Sequence, residues 1–131
     1  MHVSIVSPEH KVWEGEADMV VARSPEGEFG ILRGHVPFLA ALVPGSVRVT
    51  SGNSRDVFFV SGGVLESSGS MDDYHVIILA DDALKAGEIS VDEARRLVEE
   101  ARGRAEGKGE RAADELRIAL ARAEFAEQES H

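Results

Sequence analysis

Residues Gly27 to Pro37 read G-E-F-G-I-L-R-G-H-V-P, and this stretch decides how the rest of the chain is read. Gly27, Gly30 and Gly34 permit backbone angles that other residues avoid. Phe29, Ile31 and Leu32 supply apolar anchors between them, and Pro37 fixes its own φ and restricts Val36. The pattern predicts a short strand bent at both ends, held close to other backbone and shown as a surface loop. It contains no nucleophile and no metal-ligand cluster. The first expectation is therefore a shaped surface for another protein.

Working outward, the chain changes character near Ala86 and Gly87. Valines, glycines and all four prolines come before this point. Alanine, glutamate and arginine dominate after it, which marks a shift from strands to helices. On the N-terminal side, His2 to Ser7 alternates as an edge-like strand closed by Pro8. Lys11 to Ala17 and Met19 to Ala22 are further strands, with Trp13 as a packing anchor. Phe38 to Val43 is apolar throughout, which fits a buried strand or one turn of helix. Val47 and Val49 alternate with polar residues up to a hairpin turn at Ser51 to Ser54, and Val57 to Val60 returns. Gly62 and Gly63 suggest a bulge or a close strand crossing. Ser67 to Asp73 reads as a long polar hairpin loop, followed by an apolar strand from Val76 to Leu79. About nine short strands at this turn spacing predict a β-sandwich.

On the C-terminal side, Ser90 to Glu93 forms an S-x-x-E capping box. Ala94, Leu97, Val98 and Ala101 then recur at helical spacing. Gly103 and Gly107 weaken the end of this helix, and Gly109 completes the break. A second helix from about Glu110 to Gln128 is expected to bury Ala113, Leu116, Leu120 and Ala123, with Ala112 and Ala119 beside them. A Gly-Lys-Gly turn makes the pair an antiparallel hairpin. At about 25 cal/mol per Å², an alanine-rich stripe docks it weakly, so a mobile hairpin is expected. The fold class is thus β + α, with a sandwich over 1–86 and a helical hairpin over 87–131.

Composition removes several functions. The 131 residues are 43% apolar and 29% charged, as in a globular chain. No apolar run is long enough to span a bilayer, and the N-terminus lacks the pattern of a signal peptide. The net charge of −10 without a basic stripe argues against nucleic acid or an anionic membrane as a direct partner. With no cysteine there is no disulfide and no thiolate metal site. The five histidines show no i, i+4 pair, and no G-x-S-x-G elbow frames a serine. Asp72–Asp73 and Asp81–Asp82 lack the ligand register of an EF-hand. Neither a catalytic nor a metal site is expected.

The opening stretch resembles the signature loop of the epsilon subunit of rotary ATP synthases, usually G-E-x-G-I-L-P-G-H-x-P. Arg33 stands where that family commonly has proline. The resemblance continues through F-L-A-A-L-V-P-G-S-V-R-V, S-G-G-V-L-E and I-L-A-D into the helical hairpin. Val64 takes the place of a usual phenylalanine, a volume that neighbours would have to fill.

The resemblance implies a central-stalk subunit of a bacterial proton-driven synthase, peripheral on the cytoplasmic face of the membrane and not itself catalytic. It implies partners in the gamma subunit, the c-ring and the alpha/beta catalytic head. Glu28, Arg33 and His35 would meet the rotor ring and gamma. Arg111, Arg117 and Arg122 would meet the head when the hairpin extends and obstructs hydrolysis. Val91 to Arg96 resembles the I/L-D-x-x-R-A motif through which some members bind ATP. That would make Asp92, Arg95, Arg117 and Arg122 a regulatory ATP site, with no cofactor otherwise required. Against it, Asp92 suits a helix N-terminus, and Arg95 with Glu99 reads as an ordinary i, i+4 pair. Two other classes remain open at this point: a stand-alone ATP-sensing module and a small cupin-like enzyme.

Overall fold

The computed structural model describes residues 1–34, 36–106 and 109–129. Ten strands form two five-stranded sheets, and two helices follow. The first sheet has the order β2-β1-β9-β8-β5, from β1 (His2–Val6), β2 (Lys11–Glu16), β5 (Phe38–Leu42), β8 (Gly63–Ser70) and β9 (Asp73–Ala80). The second has the order β10-β7-β6-β3-β4, from β3 (Met19–Ser24), β4 (Gly27–Leu32), β6 (Gly45–Ser51), β7 (Ser54–Val60) and β10 (Ala83–Lys85). All pairings are antiparallel except β1 with β9, which is parallel.

Period-2 alternation builds the core. Val3, Ile5, Leu65, Val76 and Ile78 point inward from the first sheet, and Val20, Ile31, Val47, Val49, Phe58 and Val60 from the second. Trp13 packs at the edge of this core against Phe58. Phe29 of β4 meets Phe38 of β5 with ring centroids 5.3 Å apart, and this contact joins the two sheets.

Several expectations change here. β1 is not an edge strand; it lies between β2 and β9, so both of its backbone edges are paired. Phe38 to Leu42 is a strand, but Leu39 and Ala41 face outward. Of the three glycines in the opening stretch, only Gly27 and Gly34 take positive φ, and Leu32 is exposed. Val64 also faces outward, so replacing phenylalanine there leaves no internal gap. The predicted polar loop at Ser67 to Asp73 is ladder almost throughout, with Ser70 pairing Asp73 across a two-residue turn. Backbone pairing holds this segment, and Ser67 turns inward to hydrogen-bond Tyr74. Gly63 is constrained by its neighbour: a Cβ there would lie 2.1 Å from the carbonyl oxygen of Leu79, at a φ of +143°.

Helix α1 spans Val91–Ala105 and α2 spans Glu110–Glu129, packed against each other. The Ser90 hydroxyl accepts from the Glu93 amide at 3.3 Å and caps α1. Gly103 does not stop the helix, while Gly109 takes φ +87° ahead of α2.

The buried face of α2 is rotated from the predicted one. Ala112, Ala119, Phe125 and Ala126 are buried, whereas Ala113 and Leu120 are exposed. Phe125 is the cause. Its ring packs 5.7 Å from that of Phe59, in a cluster with Val57, Ala86, Ile89, Ile118 and Ala121. The hairpin therefore lies on the second sheet through an aromatic plug and not through alanine alone. β7 is accordingly buried on both faces over Val57–Phe58–Phe59–Val60.

Candidate interaction surfaces

The loop after β4 crosses one end of the sandwich. Tyr74 holds it from below: its hydroxyl lies 3.0 Å from the carbonyl oxygen of Val36 and 2.9 Å from the Ser67 hydroxyl. A carbonyl can only accept, so the phenol proton goes to Val36 and Ser67 supplies the second bond. Beside it, a Cβ on Gly34 would touch the end of Met71, which places the β8–β9 turn against the loop. Leu32, Val36 and Met71 are all exposed at this end. Arg33 is exposed and borders a hollow shared with Met1, His2, Glu16, Met71, Asp72, Asp73 and Tyr74.

Glu28 sits on β4, where the Arg48 guanidinium donates to it at 2.9 Å and Arg23 lies 3.9 Å away. It is thus tied to its own sheet. His35 lies outside the described residues.

The outer face of the first sheet is uncovered. Register aligns Val6, Leu79, Val64 and Ala41 in one cross-strand row. The next row holds Ser4, Ile77, Glu66 and Leu39. Leu39, Ile77 and Leu79 are exposed by 69%, 42% and 55%. A contiguous apolar patch rimmed by polar residues marks a protein interface. Sequence reading missed this surface because an all-apolar strand reads as doubly buried.

The hairpin carries the remaining residues of interest. Arg95 donates to Glu127 on α2 from Nε at 2.9 Å and from Nη2 at 2.7 Å, in place of the expected partner Glu99. Arg117 pairs with Asp114, and Arg111 lies 3.9 Å from Glu115 with its side chain almost fully exposed. Among the described residues Asp92 makes no hydrogen bond or ion pair.

Arg122 lines a groove of about 150 Å³ with Leu84, Glu88, Ile89, Ser90, Glu93, Ala94 and Leu97. At 100° per residue, Arg95 and Asp92 lie about 100° and 160° round α1 from Ala94, on the side away from Leu97 and the groove. Arg117 is ten positions from Glu127, about 15 Å along α2 at 1.5 Å per residue. The docked hairpin therefore does not bring Asp92, Arg95, Arg117 and Arg122 together. Only Arg122 reaches the groove, and the carboxylates of Glu88 and Glu93 share that lining.

Among the described residues, no group of three or more His, Asp or Glu side chains could hold a metal ion. No described helix is long and apolar enough to cross a membrane. The arrangement defines a small adaptor: a sandwich with one open sheet face, a shaped loop at its end, and a helical layer on the other sheet.

Comparison with known proteins places it further. Residues 1–86 match the family described as ATP synthase, Delta/Epsilon chain, beta-sandwich domain. An ATP synthase epsilon chain of Methylococcus capsulatus is 42% identical over 129 residues, covering 95% of this chain and 89% of the relative. One from Hydrogenovibrio crunogenus is 46% identical over 104 residues, covering 77% and 69%. A chain in the structure of Euglena gracilis mitochondrial ATP synthase, described as OSCP/F1/c-ring, superposes with a TM-score of 0.79 at 27% identity, covering 98% of this chain and 80% of that one. The chain belongs to the ATP synthase epsilon chain family.

Proposed function

We propose that this chain couples proton-driven rotation to ATP synthesis and restrains ATP hydrolysis through its hairpin, without chemistry of its own. The sandwich over 1–86 holds gamma and the c-ring, and the hairpin over 87–131 regulates. The bare row of Val6, Leu79, Val64 and Ala41 is the surface offered to gamma, with Ile77 and Leu39 extending it. The end carrying Arg33 and Met71 is offered to the c-ring together with His35, and Glu28, near the opposite end of β4, extends the proposed contact along the second sheet. In this role the protein works at the cytoplasmic face of a bacterial membrane, held there by its partners.

One observation carries the regulatory reading. The sandwich closes its own core, and the hairpin rests on it through a small separate cluster centred on Phe59 and Phe125. Such a layer can lift without unfolding what lies beneath it. Lifted, it presents Arg111, Arg117 and Arg122 to acidic surfaces of the alpha/beta head.

The test uses the Arg55–Glu129 contact between β7 and α2, 3.8 Å in the docked state. The chain has no native cysteine. Arg55→Cys with Glu129→Cys, bridged by a short bis-maleimide in the reconstituted synthase, pins the hairpin down. Hydrolysis should rise against the unbridged control while coupled synthesis persists. Equal hydrolysis in both would refute inhibition by the hairpin.

A regulatory ATP is the secondary proposal. Arg122, a half-buried residue in the groove lining with no ion-pair partner among the described residues, supports it. Glu88 and Glu93 in the same lining oppose a triphosphate by like charge. Titration of the isolated chain with ATP, followed by amide shifts, decides. Saturable shifts around Ser90 and Arg122 support regulation by ATP, and none up to millimolar ATP removes it.

A further inference from the structure

The outer face of the first sheet ends in a cluster that the stalk role does not use. His2 of β1 reaches across to β2, where its Nδ1 lies 3.1 Å from a Glu16 carboxylate oxygen and its Nε2 lies 3.0 Å from one of Glu14. A carboxylate can only accept, whereas a neutral imidazole has a single N–H. Satisfying both contacts therefore requires the imidazolium. Lys11 also reaches Glu14, at 3.0 Å, and the N-terminal amino group lies 3.9 Å from Glu16.

On the other side, His75 of β9 stands opposite His2 in the parallel ladder, with ring centroids 6.2 Å apart. His75 is 2.9 Å from Asp73. Arg33 and Asp72 border the hollow next to His2 and Asp73. Around the two rings, Glu14, Glu16, Asp72 and Asp73 carry four negative charges, and Lys11, the terminal amine and Arg33 carry three positive ones. Two imidazoliums turn this balance to one positive charge, and two neutral rings leave it at one negative charge.

We propose that His2, clamped between Glu14 and Glu16 and facing His75 and Asp73, is a proton-operated fastener. It pins β1 to the edge strand β2 and sets the charge of the sheet face beside the Arg33 loop. The proposal goes beyond the stalk role and does not rest on it. Hydrogen bonds donated to Glu14 first and Glu16 second hold the His2 ring above its ordinary value, and the bond received from His2 holds the Glu14 carboxyl below its own. A raised histidine stabilises fully below its unfolded value and loses that contribution as pH rises through the folded one. The depressed Glu14 contributes above its unfolded value and loses this only as pH falls through the carboxylate range. The fastener is therefore closed in mildly acidic solution and opens toward alkaline pH.

Histidine Cε1–Hε1 spectra of the full chain across pH, with amide exchange of β1 and β2, test it. The wild-type His2 midpoint should lie above that in Glu14→Gln/Glu16→Gln, and His75→Gln should preserve most of the difference. After correction for intrinsic rates, exchange in β1 and β2 should accelerate severalfold as pH passes the His2 midpoint, and His2→Gln should abolish the step. An unchanged His2 midpoint in the double variant, or no step in the wild type, overturns the proposal.

Discussion

The two sheets have equivalent inner faces and opposite outer ones. On the second sheet, the outward Val57 and Phe59 are buried under the chain's own hairpin. On the first, the outward Leu79, Ile77 and Val64 are bare. Both faces carry large apolar side chains where a solvated sheet would carry polar ones. The difference is who covers them. The sequence supplies one cover by an amphipathic hairpin with an aromatic plug, and leaves the other face bare, the face proposed above for a partner chain. An outward apolar row is thus a request for a layer, and the chain meets only one of its two requests.

The largest effect should come from the shared core, where both faces lose their support. Phe58 is fully buried between the sheets beside Trp13. Phe58→Ala should cost about 3–5 kcal/mol and lower the thermal midpoint by roughly 10–20 °C. A drop of only a few degrees would mean that the sheets collapse onto the space.

Next is the covered face. Phe125→Ala removes the plug from the cluster on Phe59, and should cost about 2–4 kcal/mol, confined to the docking of the hairpin. Amide exchange in α1 and α2 should quicken while the strands stay protected. Loss of protection in both parts together would show that sandwich and hairpin form one cooperative unit.

The bare face should answer in binding and not in folding. Leu79→Asp with Ile77→Asp adds charge to exposed positions, so the isolated chain should change by roughly 0.5 kcal/mol or less. Binding to a gamma-containing subcomplex should weaken by about 2 kcal/mol, roughly thirtyfold. Unchanged affinity would move the gamma contact off this sheet.

What could be read in advance follows the same division. Inward alternation made the sandwich legible, and the capping box at Ser90 located α1. The Gly27–Pro37 stretch announced a shaped loop, and Gly27 and Gly34 do take the positive φ expected there. The polar strand β8 was hidden because serines and glycines do not show that their backbone is paired. The face of α2 was misread because alanines surround that helix and only tertiary contact with Phe59 selects Phe125. The site residues on the hairpin depended on which helix faces which. That is how Arg95 came to face Glu127 across the helix pair, instead of Glu99 on its own helix.

That ion pair gives the smallest effect and the finest test of how the covered layer holds. Arg95 and Glu127 are 62% and 49% exposed, so water screens them despite the 2.7 Å separation. A pair of this kind contributes about 0.2–1 kcal/mol and weakens with salt. A double-mutant cycle with Arg95→Gln and Glu127→Gln, read by exchange of the α1 and α2 amides, should give a coupling in that range at low salt and less at high salt. Phe125 would then hold the hairpin to the sandwich, and the charges would only set the register between its two helices. A coupling above about 2 kcal/mol, insensitive to salt, would reverse that ranking. In that case the hairpin closes as an electrostatic unit first, and Phe125 only decides where the finished unit comes to rest.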